Sequence, residues 1–313
     1  MIGLDDVRAS ANRIMDATRR TPMISATGLK HALPRPMTLS LKLELLQVSG
    51  SFKARGAISK VRTLTPEETR RGIITASGGN HGLAVAYAGH VLGVPAVIYL
   101  PENVHTDKLR KLEDWGARAV IAGATWDVTN RHALAAAERE GLAYIHPFAD
   151  PFVIAGQGTI ALEILEQAPG IETIVVAIGG GGLISGIAVA AKALDPAVRI
   201  VGVEPTGAPT LKASLDAGAI VSLARIATSA VTLAAGRTEP ANFEIVARYV
   251  DDIVLVSDDE MRSAARWLWS EFGVAAELSG AASIAALMTG RIPISDGERV
   301  CALVCGVGRD GWT

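Results

Sequence analysis

A lysine placed where a Gly-Ser turn runs into a helix is the first residue of this chain equipped for covalent chemistry. In Gly50-Ser51-Phe52-Lys53-Ala54-Arg55-Gly56-Ala57, apolar residues recur at Ala54, Ala57, Ile58 and Val61 with helical spacing. Ser51 is expected to cap that helix by accepting from its first free N–H groups. Lys53 then falls in the first turn, where the positive end of the helix dipole disfavours an ammonium. An amine that serves as nucleophile or base needs such a lowered pKa. Most first-turn lysines are simply solvated, so the octapeptide alone decides nothing.

Two glycine-rich stretches suit anions. Gly179-Gly180-Gly181-Gly182 follows the apolar run Ile174–Ile178 and opens an apolar helical stretch from Leu183 to Leu194. Four residues without side chains let several backbone N–H groups point at one phosphate, and the helix dipole adds to the attraction. The bland alternative is a tight turn packed against a neighbour. A dinucleotide site is the competing functional reading, but Ile184 stands where that fingerprint needs its third glycine, and Glu204 meets the acidic position only loosely. Ser77-Gly78-Gly79-Asn80-His81 likewise lies between a strand and a helix, where free N–H groups, a hydroxyl and an amide suit a carboxylate. A plain Ser/Asn helix cap reads equally well there.

Several elements must position these groups. Alternation over Thr38–Leu45 predicts a strand leading towards Lys53. Strand-then-helix pairs follow at 72–76 and 80–92, 96–100 and 106–115, and 118–122 and 126–140. A second series runs through a helix at 154–167, a strand at 173–178, a helix at 182–194, a strand at 199–203 and a helix at 209–217. Further on, strands are expected at 252–256 and 300–304 and helices at 258–271 and 280–289. This rhythm argues for parallel sheets covered by helices, in two α/β lobes facing one cleft. Gly156-Gln157-Gly158-Thr159 reads as a helix-entry turn. With 313 residues the chain can bury a large core, and 49% hydrophobic residues with 32 glycines mark a globular α/β protein. A net charge of −2 without a basic run argues against nucleic-acid or membrane partners. The acidic start and only two cysteines, Cys301 and Cys305, make a reducing cytoplasm the expectation.

Taken in order, Lys53 with Glu44 and Gln47 before it, Ser77–His81, Val153-Ile154-Ala155-Gly156-Gln157-Gly158-Thr159 and the tetraglycine run resemble the fold type II pyridoxal-phosphate enzymes, in particular the serine/threonine dehydratase group. The resemblance extends from about Arg20 to Gly308. It implies a smaller lobe, residues 66–147, inserted into a larger one formed by 1–65 and 148–313, with the active site between them. It implies pyridoxal 5'-phosphate joined to Lys53 and contacted by Phe52, Asn80, Gly179, Gly180, Gly181, Gly182, Leu183 and Cys305, the last facing the pyridine nitrogen. Ser77, Gly78, Gly79, Asn80 and His81 would hold the α-carboxylate of a small amino-acid substrate, with Asn80 also on the 3'-oxygen of the cofactor. The implied reaction is dehydration and deamination of a β-hydroxy amino acid such as threonine or serine, in a homodimer.

Departures bear on substrate more than on reaction type. Gly78 stands where racemases of the group carry a second serine. Thr210 replaces an aspartate of the divalent-metal segment, leaving only Glu204 and the Ala208 carbonyl as weak candidates. The segment Ala227-Thr228-Ser229-Ala230-Val231-Thr232-Leu233 replaces an Ala-Asp-Gly signature, and Leu278 replaces a usual proline. A β-replacement synthase and a dehydratase of a bulkier 3-hydroxy amino acid therefore stay open within this chemistry. A dinucleotide-binding oxidoreductase stands as the alternative outside it.

Overall fold

A computed structural model describes residues 1–102, 104 and 106–309. Helix α1 (Leu4–Ile14) leads to the short strand β1 (Met23–Ser25), β2 (Thr38–Lys42) and helix α2 (Lys53–Val61). Next come α3 (Pro66–Arg71), β3 (Ile73–Ala76), α4 (Asn80–Leu92), β4 (Ala96–Leu100), α5 (Thr106–Asp114), β5 (Arg118–Ile121), α6 (Trp126–Glu140) and β6 (Ala143–Tyr144). The chain continues with α7 (Pro151–Gln167), β7 (Thr173–Ala177), α8 (Gly182–Leu194), β8 (Arg199–Pro205) and α9 (Thr210–Asp216). It closes with α10 (Pro240–Tyr249), β9 (Asp252–Val256), α11 (Asp258–Phe272), α12 (Leu278–Met288) and β10 (Arg299–Leu303).

These strands form two sheets. One has six strands in the order β1-β2-β10-β7-β8-β9, parallel except for the β1–β2 pair. The other has four, β5-β4-β3-β6, all parallel. Parallel strands buried on both faces need continuous apolar runs, and Thr173–Ala177 is buried at every position. Strand β10 pairs Val300 with Leu39 on one side and Cys301 with Ile174 on the other. The last strand thereby locks the first to the middle of the sheet, and the carboxyl ends of β2, β10 and β7 lie side by side.

Helices α7 and α8 approach so closely that glycine is required where they cross. A Cβ on Gly158 would lie 2.7 Å from the Gly186 carbonyl oxygen, and one on Gly186 would lie 2.2 Å from that of Ile154. Gly156 packs in the same way on α2, with the Gly56 Cα 2.7 Å from its Cβ position. The expectation of a turn at Gly156–Thr159 is therefore corrected: this stretch lies inside α7. Its glycines serve helix contact rather than chain reversal. Helix α2 buries Ala54, Ala57, Ile58 and Val61 against Ile73, Ala84 and Val85, so the helix that begins at Lys53 is seated on the elements of the four-stranded sheet.

A buried ionic network fixes the other side of α2. The Arg55 guanidinium donates from Nε and Nη2 to Glu44 at 2.8 and 2.7 Å and from Nη1 and Nη2 to Glu163 at 2.7 and 3.0 Å. Lys42, fully buried, donates to the Thr21 carbonyl at 2.8 Å, to Glu163 at 2.5 Å and to Gln167 at 2.9 Å. Two cations and two carboxylates balance, which is the condition for keeping such charges out of water. Among the described residues no helix is long and apolar enough to cross a membrane.

Candidate active site

The stretches that form the candidate site each follow the carboxyl end of a strand. Strand β2 leads to Lys53, β10 to Cys305, β7 to the tetraglycine turn, β3 to Ser77–Gly79, and β6 to His146-Pro147-Phe148.

Before Lys53 the chain turns through two left-handed residues, Ser49 (φ 61°) and Gly50 (φ 83°). A Cβ on Gly50 would also meet Val307 Cγ1 at 2.6 Å. The segment is then stitched to the end of β10. Gly50 O accepts from Val307 N at 2.9 Å, Cys305 O accepts from Phe52 N at 3.3 Å, and Ser51 bridges to Gly306. That bridge holds Ser51 extended, so it does not cap α2 as expected. Phe52 is the N-cap, no side chain caps the helix, and the Ser51 hydroxyl is buried with no partner among the described protein groups.

Lys53 is partly buried, and its Nζ donates to the Pro147 carbonyl at 2.6 Å. Burial lowers its pKa to about 8, against the opposing pull of Cys305 and Glu277. Two histidines nearby stay neutral. Burial and then the Lys53 charge bring His146 to about 4 and His81 to about 3. His146 Nδ1 accepts from Phe148 N at 3.2 Å and Ala149 N at 2.9 Å, which places its proton on Nε2. His81 is buried, with Nε2 2.9 Å from the Ile145 carbonyl oxygen.

Over the tetraglycine turn lies Phe148. Cβ atoms on Gly180 and Gly182 would meet its ring and carbonyl oxygen at 2.4 Å, and Gly181, at φ 101°, opens α8 in the left-handed region. The Gly180 carbonyl accepts from Thr238 at 3.0 Å and Asn242 at 3.2 Å, which fixes the turn from outside. Leu183 and Ser185 occupy the first turn of α8, and the Ser185 hydroxyl is buried without a partner among the described protein groups.

On the facing side, Ser77 Oγ accepts from Gly79 N at 3.2 Å, while Gly78 sits above Leu100, Pro101 and Val104. Asn80, the first residue of α4, donates from Nδ2 to Glu277 Oε1 at 2.8 Å. The same oxygen accepts from Ser279 Oγ. Glu277 is the N-cap of α12 and is 8% exposed. Gly306 must lack a side chain there, because its Cβ would lie 2.3 Å from that carboxylate oxygen. Buried Cys305, two residues beyond β10, donates from Sγ to the Ser279 carbonyl at 3.4 Å, and burial pushes its thiol pKa up.

Lys53, Asn80, the tetraglycine turn and Cys305 are thus brought together: Pro147 and Phe148 join Lys53 to the glycine turn, and Glu277 with Ser279 joins Asn80 to Cys305. Glu204 and Ala208, the weak metal candidates, are both engaged within the protein, and the Ala208 carbonyl accepts from Thr210 N at 3.0 Å. Both Glu204 oxygens accept backbone N–H groups of α9, from Leu211 at 2.8 Å and Lys212 at 2.9 Å, and burial pushes that carboxyl up to about 7. Among the described residues no group of three or more His, Cys, Asp or Glu could hold a metal ion. Sequence reasoning missed His146, Pro147, Phe148 and the contacts of Glu277. Strand β6 has two residues, too few to show alternation, and Glu277 meets Asn80 across 197 residues.

Residues 14–306 match the family described as pyridoxal-phosphate dependent enzyme. An L-threonine ammonia-lyase of Thermotoga maritima is 37% identical over 306 residues, covering 98% of this chain and 75% of that protein. A phenylserine dehydratase of Ralstonia pickettii is 37% identical over 317 residues, 99% of this chain and 95% of its own length. Among solved structures, maize serine racemase superposes with a TM-score of 0.93 at 35% identity, covering 97% of this chain and 93% of that one.

Proposed function

The chain belongs to the pyridoxal-phosphate dependent enzyme family, and from that premise we propose that it eliminates water from a β-hydroxy amino acid to give a 2-oxo acid and ammonia. The residues present fit the cofactor: a partly buried amine with a lowered pKa, a turn that admits no side chains at a helix start, and a neutral thiol at the end of β10. We assign Lys53 as the covalent anchor and Gly179–Gly182 with Leu183 as the phosphate cradle. Phe52, Asn80 and Cys305 would contact the cofactor, Cys305 on the side of the pyridine nitrogen. When bound, pyridoxal phosphate supplies the electron sink for loss of the α-proton and the β-substituent.

The chain's own groups do the rest. The free N–H groups at Ser77–Asn80 orient the α-carboxylate at a helix start. Lys53 Nζ, poised near neutrality, takes the proton from the substrate Cα. The neutral Cys305 thiol places no positive charge beside the ring, which suits elimination because the departing group carries the electrons away. Water lost in the first stage is regained when the nitrogen is released, so substrate equals 2-oxo acid plus ammonia.

Gly78 has no side chain to act as a base on the opposite face, and Leu100, Pro101 and Val104 lie against it, so racemisation is not expected. A bulkier 3-hydroxy substrate is the second reading, favoured by the phenylserine dehydratase likeness over nearly both full lengths. The two-lobe division at 66–147, a homodimer, a cytoplasmic setting and a catabolic role belong to the same proposal. The single observation behind the reading is Lys53 Nζ, partly buried and bonded to the Pro147 carbonyl, whose neighbour Phe148 lies on the tetraglycine turn. The test is an ammonia-release screen over threonine, serine, phenylserine and O-acylated serine with a thiol. Release from a β-hydroxy substrate is expected. Activity confined to O-acylated serine plus thiol would replace the reading by a β-replacement synthase.

A further inference from the structure

Thr232 stands in the segment that departs from the Ala-Asp-Gly signature, and it is placed where three parts of the cleft meet. Its Cγ2 is 3.6 Å from the Cβ position of Gly79 in the substrate loop, and its carbonyl oxygen is 3.1 Å from that of Gly179 in the glycine turn. Its hydroxyl donates to Ser279 Oγ at 2.7 Å, with Glu277 Oε1 at 3.3 Å. Ser279 in turn donates to Glu277 Oε1, the oxygen that also receives Asn80 Nδ2.

We infer that Thr232 is a positioning residue: through Ser279 it fixes the Glu277 carboxylate, and through that carboxylate the side-chain amide of Asn80. The direction of each bond follows from the donor inventory. A carboxylate only accepts, so Asn80 must present its NH2 to Glu277. Ser279 has one proton, which goes to Glu277, so its oxygen is open to the Thr232 proton. With one N–H engaged, the second N–H and the carbonyl of Asn80 have one orientation each.

The segment carrying Thr232 is itself anchored at both ends. Thr228 Oγ1 donates to Asp258 Oδ1 at 2.6 Å and Ser229 N to Asp258 Oδ2 at 2.5 Å. Ala235 O accepts from Thr210 Oγ1 at 2.5 Å. A polar link thus reaches from the loop at 227–235 to Asn80, the residue opening α4.

This inference rests on the pyridoxal-phosphate reading of the same site. The test is titration of apoprotein with pyridoxal phosphate, read by visible absorbance. Thr232→Val keeps the shape and removes the hydroxyl; it should bind about tenfold more weakly, as loss of a part-buried hydrogen-bond partner does, and shift the absorption band. Thr232→Ser keeps the hydroxyl, loses only the methyl, and should match the parent. Ser279→Ala, which breaks the relay in the middle, should resemble Thr232→Val, and the double variant should be no worse than either single one. A Thr232→Val protein indistinguishable from the parent overturns the inference alone, as does a Thr232→Ser protein equally weakened. A parent that takes up no pyridoxal phosphate overturns the reading of function and this inference with it.

Discussion

Replacing Glu163 by alanine tests how the ionic network holds the helix that starts at Lys53. Glu163 Oε2 accepts from Lys42 at 2.5 Å, and the carboxylate receives two donors from Arg55. Its loss leaves two buried cations with Glu44 as the one remaining carboxylate among the four charges. Removing one partner of a buried pair costs about 3–5 kcal/mol, because an uncompensated charge stays behind. For a chain of this size that is on the order of 10 °C in the apoprotein Tm. The loss also carries a pH signature. Burial already lowers the pKa of Lys42, and Glu163 is the largest influence opposing it. Without Glu163 the folded lysine releases its proton earlier still, while the unfolded chain keeps it to the ordinary value. Between those two points the unfolded state binds more protons, so the variant gains stability as pH rises. The deficit against the parent should therefore be larger at pH 7 than at pH 9.5, read by thermal unfolding at both. A loss below about 1 kcal/mol, the size of a surface pair, or a deficit that does not shrink with pH, would refute the reasoning.

Two further outcomes follow from the site. Uptake of pyridoxal phosphate by the apoprotein should speed up as pH rises to about 8 and level off above it, because burial sets that pKa for Lys53 and only the neutral amine reacts; stopped-flow absorbance reads this. Cys305→Ser keeps a neutral hydrogen-bonding group next to the Ser279 carbonyl and should retain most turnover, whereas a variant as inactive as Lys53→Ala would exclude the neutral-partner role.

Much of the fold is local enough to read from the chain. The helices at Asn80–Leu92, Trp126–Glu140 and Gly182–Leu194 and the strands at Ala96–Leu100 and Asp252–Val256 lie where periodicity puts them. Long, uniformly apolar or amphipathic segments with clear breakers leave little choice. Misreadings arise where a residue type has two physical uses. Gly156 and Gly158 look like a turn but serve helix contact, and only the glycines they meet, Gly56 and Gly186, show it. Ser51 looks like a cap, yet its pairing with Gly306, 255 residues away, holds it extended. The loops of the candidate site carry visible residue patterns, but what touches them does not. Pro147 on Lys53, Phe148 on the glycine turn and Glu277 on Asn80 are contacts between distant segments. No local spacing encodes them.

The central claim is a covalent bond between one particular amine and an aldehyde cofactor. Borohydride reduction of the yellow holoprotein, followed by peptide mapping, reads it directly. The phosphopyridoxyl group should be found on Lys53 and be lost in Lys53→Ala. A label on another lysine, or a reduced protein with none, would contradict the account.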